Sequence, residues 1–349
     1  MKMLPKLSYV LLAHNRERFI RSAIENAFEQ DYEGELEYII SDDCSTDGTY
    51  DIIQETVAAY KGGRRVVVTQ TPQNMHLAGH TNHAVQFVTS DWIVRADDDD
   101  FSSVDRCSVV GRAILDHPGA TAIATGVADF RTEDEDAVRQ RCGVRADITA
   151  GRYEYADILK GSWLLPSFQS TRFSYKVWSM RVFREFGELH RQGYYVDDLT
   201  CFFRSLMLGE CVMVPDAVTV YARDDGSNMS RGELGGERGY AAIVKYERFL
   251  EKYNRLTIEP LSMELKAYRR YMEERMPAVH HVQVERVLRE LELDVGKRSV
   301  NADWWKYSTR KRVRLSRQGG HRRLFDYLRC LPLPLFSRSM ALYRACFKR

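Results

Sequence analysis

The sequence predicts an α/β protein with a mostly parallel sheet and helices on both of its faces. Three observations carry that reading. Over the first hundred residues, short apolar runs rich in β-branched side chains alternate with stretches of helical periodicity. Several of these runs end in a polar cluster: His14-Asn15-Arg16, Asp42-Asp43, and Asp97-Asp98-Asp99-Asp100. The composition is that of an ordinary globular chain, 44% hydrophobic, 29% charged and 11% aromatic over 349 residues, which excludes disordered and disulfide-stapled classes.

The elements follow in order. Residues 7–12 are an apolar first strand. Phe19, Ile20, Ala23, Ile24, Ala27 and Phe28 mark one face of a helix over 18–30. A second strand covers 36–40. Ser45-Thr46-Asp47-Gly48 is a helix-start signal before a helix over 49–60, which Gly62-Gly63 stops. A third strand covers 65–69, a helix 77–88 and a fourth strand 92–96, running straight into the four aspartates. Beyond Phe101 the pattern changes: a strand at 120–127, a charged loop at 131–152, helices at 177–186 and 198–208, and short strands at 211–214 and 218–221. Five glycines between 226 and 239 read as a loop or linker, and from Tyr240 helical composition dominates.

The seven cysteines (44, 107, 142, 201, 211, 330, 346) form no CxxC pair and are odd in number, which suggests a reducing compartment and gives no zinc spacing. The apolar stretch at 9–13 is too short to span a bilayer or to serve as a secretory signal. The net charge of +2 hides an asymmetry. Residues 297–349 carry 15 Lys and Arg against two acids, leaving 36 basic and 47 acidic residues elsewhere. An acidic body with a basic tail suits an anionic partner surface. In the tail, Trp304-Trp305-Lys306-Tyr307, Lys311-Arg312-Val313-Arg314 and residues 322–329 interleave aromatic and basic side chains. That pattern fits the surface of an anionic membrane. No nucleic-acid-binding module is recognisable.

Open α/β sheets bind ligands beyond the C-terminal strand ends, where the strand order reverses. The polar clusters should therefore converge there. Four aspartates at a strand end repel one another, and a hard cation such as Mg²⁺ or Mn²⁺ would relieve this. In extended backbone Asp97 and Asp99 can point to one side. A carboxylate in Asp42-Asp43 is suited to accept from a base N–H or a ribose hydroxyl.

The run VLLAHNRERFIRSAIENAFEQDYEGELEYIISDDCSTDGT, then Asn74 with Asn82 eight residues on, then DWIVRADDDD, resembles the family 2 glycosyltransferases of the GT-A fold. The resemblance covers roughly residues 7–230. It implies a Rossmann-like sheet, a nucleotide-sugar donor, Mn²⁺ or Mg²⁺, and an inverting reaction. By motif position, Asp43 contacts the nucleotide base with Asp42 beside it, and Ala13, His14, Asn15 and Arg16 line the nucleotide pocket. Asp97 and Asp99 match the two acids of the family's DxD motif, with Asp99 first choice for the metal; Asp98 also lies at the donor. An acidic pair ahead of a helix, Asp197-Asp198, supplies the general base, with Asp198 the candidate. Where the family often carries a metal-binding histidine, this chain has Asp225. Two family positions depart: a glycine after Asn74 is His76, and a basic residue before Asn82 is Thr81. Neutralisation of the diphosphate then falls to His76, His80 or an arginine elsewhere such as Arg106, with Asn74 among the donor-binding residues. Trp163, Phe168 and Trp178 are candidates for stacking on an acceptor sugar.

These readings divide the chain into a GT-A domain over 1–230, with a nucleotide-sugar half (1–105) and an acceptor half (106–230), and a mainly helical basic region over 231–349. The favoured donor is a UDP-sugar, and the acceptor a glycan or lipid-linked oligosaccharide of bacterial surface polysaccharide synthesis. The expected location is the cytoplasm, peripheral to the inner membrane face. The alternatives are a nucleotidyltransferase, which would want a Gly-rich basic loop where LAHNRER stands, and a non-catalytic sugar-nucleotide scaffold. A dinucleotide dehydrogenase would need a GxGxxG after the first strand, and none is there.

Overall fold

The computed structural model describes residues 3–131, 134–143, 151–153, 173–189, 197–223 and 240–276, and single positions from 281 to 299. The chain divides into two compact units. One comprises Met1–Asp224 and Met263–Leu291, the other Asp225–Ser262 and Glu292–Arg349.

The N-terminal half follows the expected alternation: β1 (Leu7–Ala13), α1 (Ile20–Phe28), β2 (Leu36–Asp42), α2 (Thr49–Ala58), β3 (Val66–Gln70), α3 (His76–Ala84) and β4 (Trp92–Asp97). All three pairings among these strands are parallel: β1 with β2, β1 with β4, and β2 with β3. The register explains the burial. Leu7, Tyr9, Leu11 and Ala13 share a face with Leu36, Tyr38 and Ile40 of β2, and with Trp92, Val94 and Ala96 of β4. Ile20, Ala23, Ile24 and Ala27 of α1, spaced i, i+3, i+4, i+7, cover that face. Val10, Leu12, Ile39, Ile93 and Arg95 point the other way, to the side of α3.

The second half extends the sheet into a mixed one. It comprises β5 (Phe101–Ser102), α4 (Arg106–Asp116), β6 (Ala120–Phe130), α5 (Glu135–Cys142), β7 (Gly151–Tyr153), β8 (Phe173–Ser179), α6 (Arg181–Phe186), α7 (Asp197–Leu208) and β9 (Glu210–Arg223). The strand order is β3-β2-β1-β4-β8-β6-β9-β5, with β7 also paired to β9. β8 is antiparallel to both β4 and β6, whereas β6 and β9 are parallel.

Three sequence expectations are corrected here. The helix expected at 177–186 is a strand followed by a short helix. Val177 and Trp178 are fully buried inside the sheet, and an apolar run without a polar face does not distinguish strand from helix. The loop expected at 131–152 holds α5, whose acidic first turn and basic last turn match the helix dipole and which buries Val138 and Cys142 against Phe101 and Phe130. The two short strands near 211–221 are one strand, β9. Its register against β6 jumps from Val214 to Val218, a bulge that accommodates Pro215, which has no N–H to give the ladder. Asp47 does serve the start of α2 as expected: its Oδ1 accepts from the Thr49 N–H at 3.0 Å.

The described cysteines 44, 107, 142, 201 and 211 are all free thiols. No described helix is long and apolar enough to cross a membrane.

Within the first unit a buried ion pair ties α7 to the long helix α8 (Tyr240–Arg275). The Arg204 guanidinium donates to both oxygens of Glu264, at 3.0 and 2.6 Å, and to the carbonyl oxygens of Val182, Gly187 and Glu188. Glu264→Gln leaves a buried cation without its carboxylate. The expected loss is about 3 kcal/mol in urea unfolding, the low end for a broken buried pair because the carbonyl acceptors remain. Unchanged stability would mean that the pair does not hold the 263–275 end of α8 on α7 within this unit.

Candidate active site

The parallel strands end level. Ala13 pairs with Asp42, Asp42 with Gln70, and Leu12 with Asp97. β2 and β3 lie on one side of β1 and β4 on the other, so the strand order reverses between β1 and β4. The polar residues that follow each strand meet at this crevice.

His14 ties the three clusters together. Its backbone N–H donates to Asp98 Oδ2 at 2.8 Å across the reversal. Its ring Nδ1–H donates to the Asp43 carbonyl oxygen at 2.9 Å, and Nε2 accepts from Asn74 Nδ2 at 3.0 Å. A carbonyl only accepts and an amide nitrogen only donates, so the imidazole is the neutral Nδ1–H tautomer. Asn15 holds the neighbouring loop: its Oδ1 accepts from the Thr46 N–H at 2.8 Å, and its own N–H donates to Ser45 Oγ at 2.9 Å.

The two acids after β2 have different surroundings. Asp42 is fully buried and its carboxylate accepts from the Ser45 N–H at 2.9 Å, from Gln70 Nε2 at 2.8 Å and from the Ser45 hydroxyl. It shapes the turn. Asp43 Oδ1 accepts from Thr71 Oγ1 and the Met75 N–H, both at 2.8 Å, and its Oδ2 accepts no bond from the described residues.

The four aspartates after β4 are divided among separate partners. Asp97 receives Arg95 Nη2 at 3.0 Å and the Lys176 ammonium. Burial pushes its carboxyl up, but the Lys176 and Arg95 charges outweigh this and hold it well below the usual carboxylate range. Asp98 and Asp99 share Arg16, whose Nε lies 3.6 and 3.5 Å from their carboxylates. Burial and the adjacent Asp99 push the Asp98 carboxyl well up. Asp100 accepts from the Arg223 N–H at 3.0 Å and lies 4.0 Å from Lys176. Burial, only partly countered by Lys176, pushes its carboxyl to about 7. The Arg223 side chain is buried. Its Nε donates to the Asp99 carbonyl at 2.9 Å, Nη1 pairs with Glu135 at 2.9 Å, and the rings of Phe19, Phe130 and Phe101 lie 4.4, 4.7 and 5.4 Å from the guanidinium carbon.

A family model, glycosyl transferase family 2, matches residues 8–182, half of the chain, and spans β1, the Asp42-Asp43 turn, the aspartate turn and β8. The chain belongs to glycosyl transferase family 2. EpsE of Bacillus subtilis (strain 168), which bears a glycosyltransferase name, is 34% identical over 135 residues, covering 39% of this chain and 46% of EpsE. The chain thus matches less than half the length of that relative. The uncharacterized protein Rv1520 of Mycobacterium tuberculosis (strain ATCC 25618 / H37Rv) is 39% identical over 70 residues, 20% of each chain. Two solved structures share the GT-A fold at low identity. S. aureus TarS 1-349 in complex with UDP-GlcNAc has a TM-score of 0.51 at 13% identity, over 98% of this chain and 91% of that one. The mannosyltransferase PcManGT from Pyrobaculum calidifontis, in complex with GDP-Man and Mn²⁺, has a TM-score of 0.51 at 15% identity, over 99% and 88%.

This family 2 chain has the oxygen donors that a hard cation wants, in Asp97 and Asp99. Among the described residues no three metal-ligating side chains form a closed cage. The remaining candidates sort by place. His76 is exposed at the start of α3, where its N–H donates to Asn74 Oδ1 at 2.9 Å. His80 is buried, with Nε2 2.8 Å from Ser41 Oγ, and Arg106 is buried with bonds to Ser102 and to the Arg95 carbonyl. Neither is open to a diphosphate. Trp178 is fully buried, which removes it as a sugar-stacking surface. Trp163, Phe168, Asp225 and the basic tail lie outside the described residues. Asp197 and Asp198 open α7. Asn82 fixes the chain ahead of them, exchanging two 2.8 Å bonds with the Leu189 backbone.

Sequence reasoning missed Lys176, Arg95 and Arg223. Arg95 and Lys176 sit on adjacent strands that pair at Val94 and Val177, a register no local pattern reveals.

His80 gives a pH prediction. Burial, with the Arg95 charge, pushes its imidazole down to about 3. Below the unfolded value near 6.5 the unfolded chain takes a proton that the folded chain refuses, so stability falls as pH drops from about 6.5 towards 3. Between pH 7 and pH 5 this one group costs about 2 kcal/mol. His80→Gln should flatten the stability–pH slope by that amount in urea titrations at the two pH values. An identical slope in wild type and variant would contradict a neutral buried imidazole.

Proposed function

We propose that the chain is an inverting, metal-dependent glycosyltransferase that moves a sugar from a nucleotide-sugar, a UDP-sugar in the first instance, to a hydroxyl of a glycan or lipid-linked acceptor in bacterial surface polysaccharide synthesis. The observation that carries the reading is the His14 bridge, whose bonds to the Asp43 carbonyl and to Asp98 bring the Asp42-Asp43 turn and the aspartate turn to one crevice. TarS has been solved with UDP and with UDP-GlcNAc, and PcManGT with GDP-Man and Mn²⁺, which supports a metal–nucleotide-sugar donor.

Asp43 Oδ2 accepts the imide N–H of the base, while Ala13, His14, Asn15 and Arg16 wall the nucleotide. Asp42 keeps the turn in shape. Asp97 and Asp99, with Asp225, would hold the cation, and Asn74, His76 and Asp98 border the diphosphate. A bound Mn²⁺ or Mg²⁺ supplies Lewis-acid stabilisation of the departing diphosphate. Asp198, with Asp197 beside it, takes the proton of the acceptor hydroxyl as that oxygen attacks the anomeric carbon from the face opposite the leaving group, which inverts the configuration. Residues 1–105 form the donor half and 106–230 the acceptor half. The basic region over 231–349 brings the enzyme to the inner face of the cytoplasmic membrane.

Calorimetric titration of UDP, GDP, dTDP and CDP, each with Mn²⁺ and with EDTA, tests the donor site. One nucleotide should bind tightly, UDP first, and lose affinity in EDTA; Asp99→Asn should lose the Mn²⁺-dependent part. No binding by any of the four would favour a non-catalytic role. Asp198→Asn should keep nucleotide binding and lose transfer by about 100-fold or more, read as nucleoside diphosphate released in the presence of acceptor. Near-normal turnover would remove Asp198 as the base.

A further inference from the structure

Arg95 and Lys176 are neighbours across β4 and β8, one step beyond the Val94–Val177 pair. Like charges side by side on adjacent strands are unfavourable unless an anion lies between them. Asp97 is that anion, with Arg95 Nη2 at 3.0 Å on one oxygen and the Lys176 ammonium on the other. The Lys176 ammonium also lies 4.0 Å from Asp100. The two cations differ in freedom. Arg95 is 5% exposed, and the Arg106 side chain bonds to its carbonyl oxygen. Lys176 is 21% exposed and ends in a flexible stem, so its ammonium can move without unpacking the sheet.

We propose that Lys176 is a resident counter-cation of the aspartate turn, which leaves Asp97 when a nucleoside diphosphate and its divalent cation enter and then lies against the diphosphate oxygens. This rests on the donor site proposed above. While Lys176 occupies Asp97, a divalent cation alone meets an ammonium at its own ligand and is repelled. When the diphosphate arrives with the cation, it brings the negative charge that both positive groups need, and Arg95 stays on Asp97 to keep that carboxylate in place. Lys176 thereby makes the free protein a poor metal site and the donor complex a good one. It also supplies a basic contact that His80 and Arg106, both sealed in the interior, cannot supply.

The test is calorimetry on the full chain with three titrants: Mn²⁺ alone, UDP in saturating Mn²⁺, and uridine. Lys176→Met should bind Mn²⁺ alone about tenfold or more tightly than wild type and UDP–Mn²⁺ about tenfold or more weakly, with uridine unchanged. Lys176→Arg, which keeps the charge, should retain weak Mn²⁺ binding and guards against an effect of misfolding. An Mn²⁺ affinity of Lys176→Met equal to or below that of wild type overturns the counter-cation role. An unchanged UDP–Mn²⁺ affinity overturns the diphosphate contact. If Lys176→Met does not fold, Lys176→Arg decides: strong binding of Mn²⁺ alone by that variant overturns the proposal, and weak binding with UDP–Mn²⁺ affinity retained sustains it. Failure of wild type itself to bind any nucleoside diphosphate is a different result, and it sinks the donor-site reading rather than the assignment of Lys176.

Discussion

Four carboxylates on consecutive residues set the terms for everything around β4. Two unit charges 4 Å apart repel by about 4 kcal/mol at the effective dielectric of a protein surface. A turn that simply exposed all four to water would need nothing else, but here they are largely withdrawn from it, and Asp99 is buried. The fold therefore separates them by partner. Asp97 faces Arg95 and Lys176, Asp98 and Asp99 face Arg16, and Asp100 faces a backbone N–H. Their proton affinities part accordingly: Asp97 is held low, while Asp98 and Asp100 are pushed up. One repeated residue becomes several chemical groups by environment alone.

That division explains why the second half of the domain is built as it is. Arg223 closes β9, and from there it reaches the Asp99 carbonyl, the Asp100 carboxylate and Glu135 of α5. Its guanidinium is enclosed by Phe19 from the loop before α1, Phe101 of β5 and Phe130 of β6. A planar, weakly hydrated cation suits such a cage, and a lysine would fit neither the rings nor the forked contacts. The aspartate turn is thus held at two places, by His14 at Asp98 and by Arg223 at Asp99 and Asp100. α5 and the long strand β9 are the supports of that clamp rather than decoration on the N-terminal half.

The contrast between what the sequence disclosed and what it hid follows from contact range. β1 through β4, the polar strand ends and their meeting at one edge were legible because periodicity and turn chemistry are local, and the crevice follows from the strand-order rule. The Asp42-Asp43 and Asp97–Asp100 motifs were legible for the same reason. Lys176, Arg95, Arg223 and Arg204 were not, since each acts across strands or helices distant in sequence. Lys176 sits in FSYKVWS, where its neighbours Val177 and Trp178 look equally at home in a buried helix, and with the strand unrecognised its role was missed. His80 and Arg106 show the reverse error. Both are basic and near the motifs in sequence, yet they lie on the buried faces of α3 and α4 and point inward, to Ser41 and to the Arg95 carbonyl.

Backbone conformation points to the same crevice. Asn15, Cys44 and His76 are the non-glycine residues with positive φ among those described, at 53°, 53° and 56°. Each follows one of the strand ends or opens the helix beside it. A left-handed residue with a Cβ costs about 1–2 kcal/mol, so three of them in one neighbourhood require compensation. It comes from the same polar network: Asn15 bonds to Ser45 and Thr46, Ser45 next to Cys44 bonds to Asp42, and the His76 N–H bonds to Asn74, which in turn bonds to His14. Strain and hydrogen bonds therefore hold one another in place. The loops that carry His14, Asn15, Asp42 and Asn74 are thereby held as one frame, against which the flexible side chain of Lys176 is free to move.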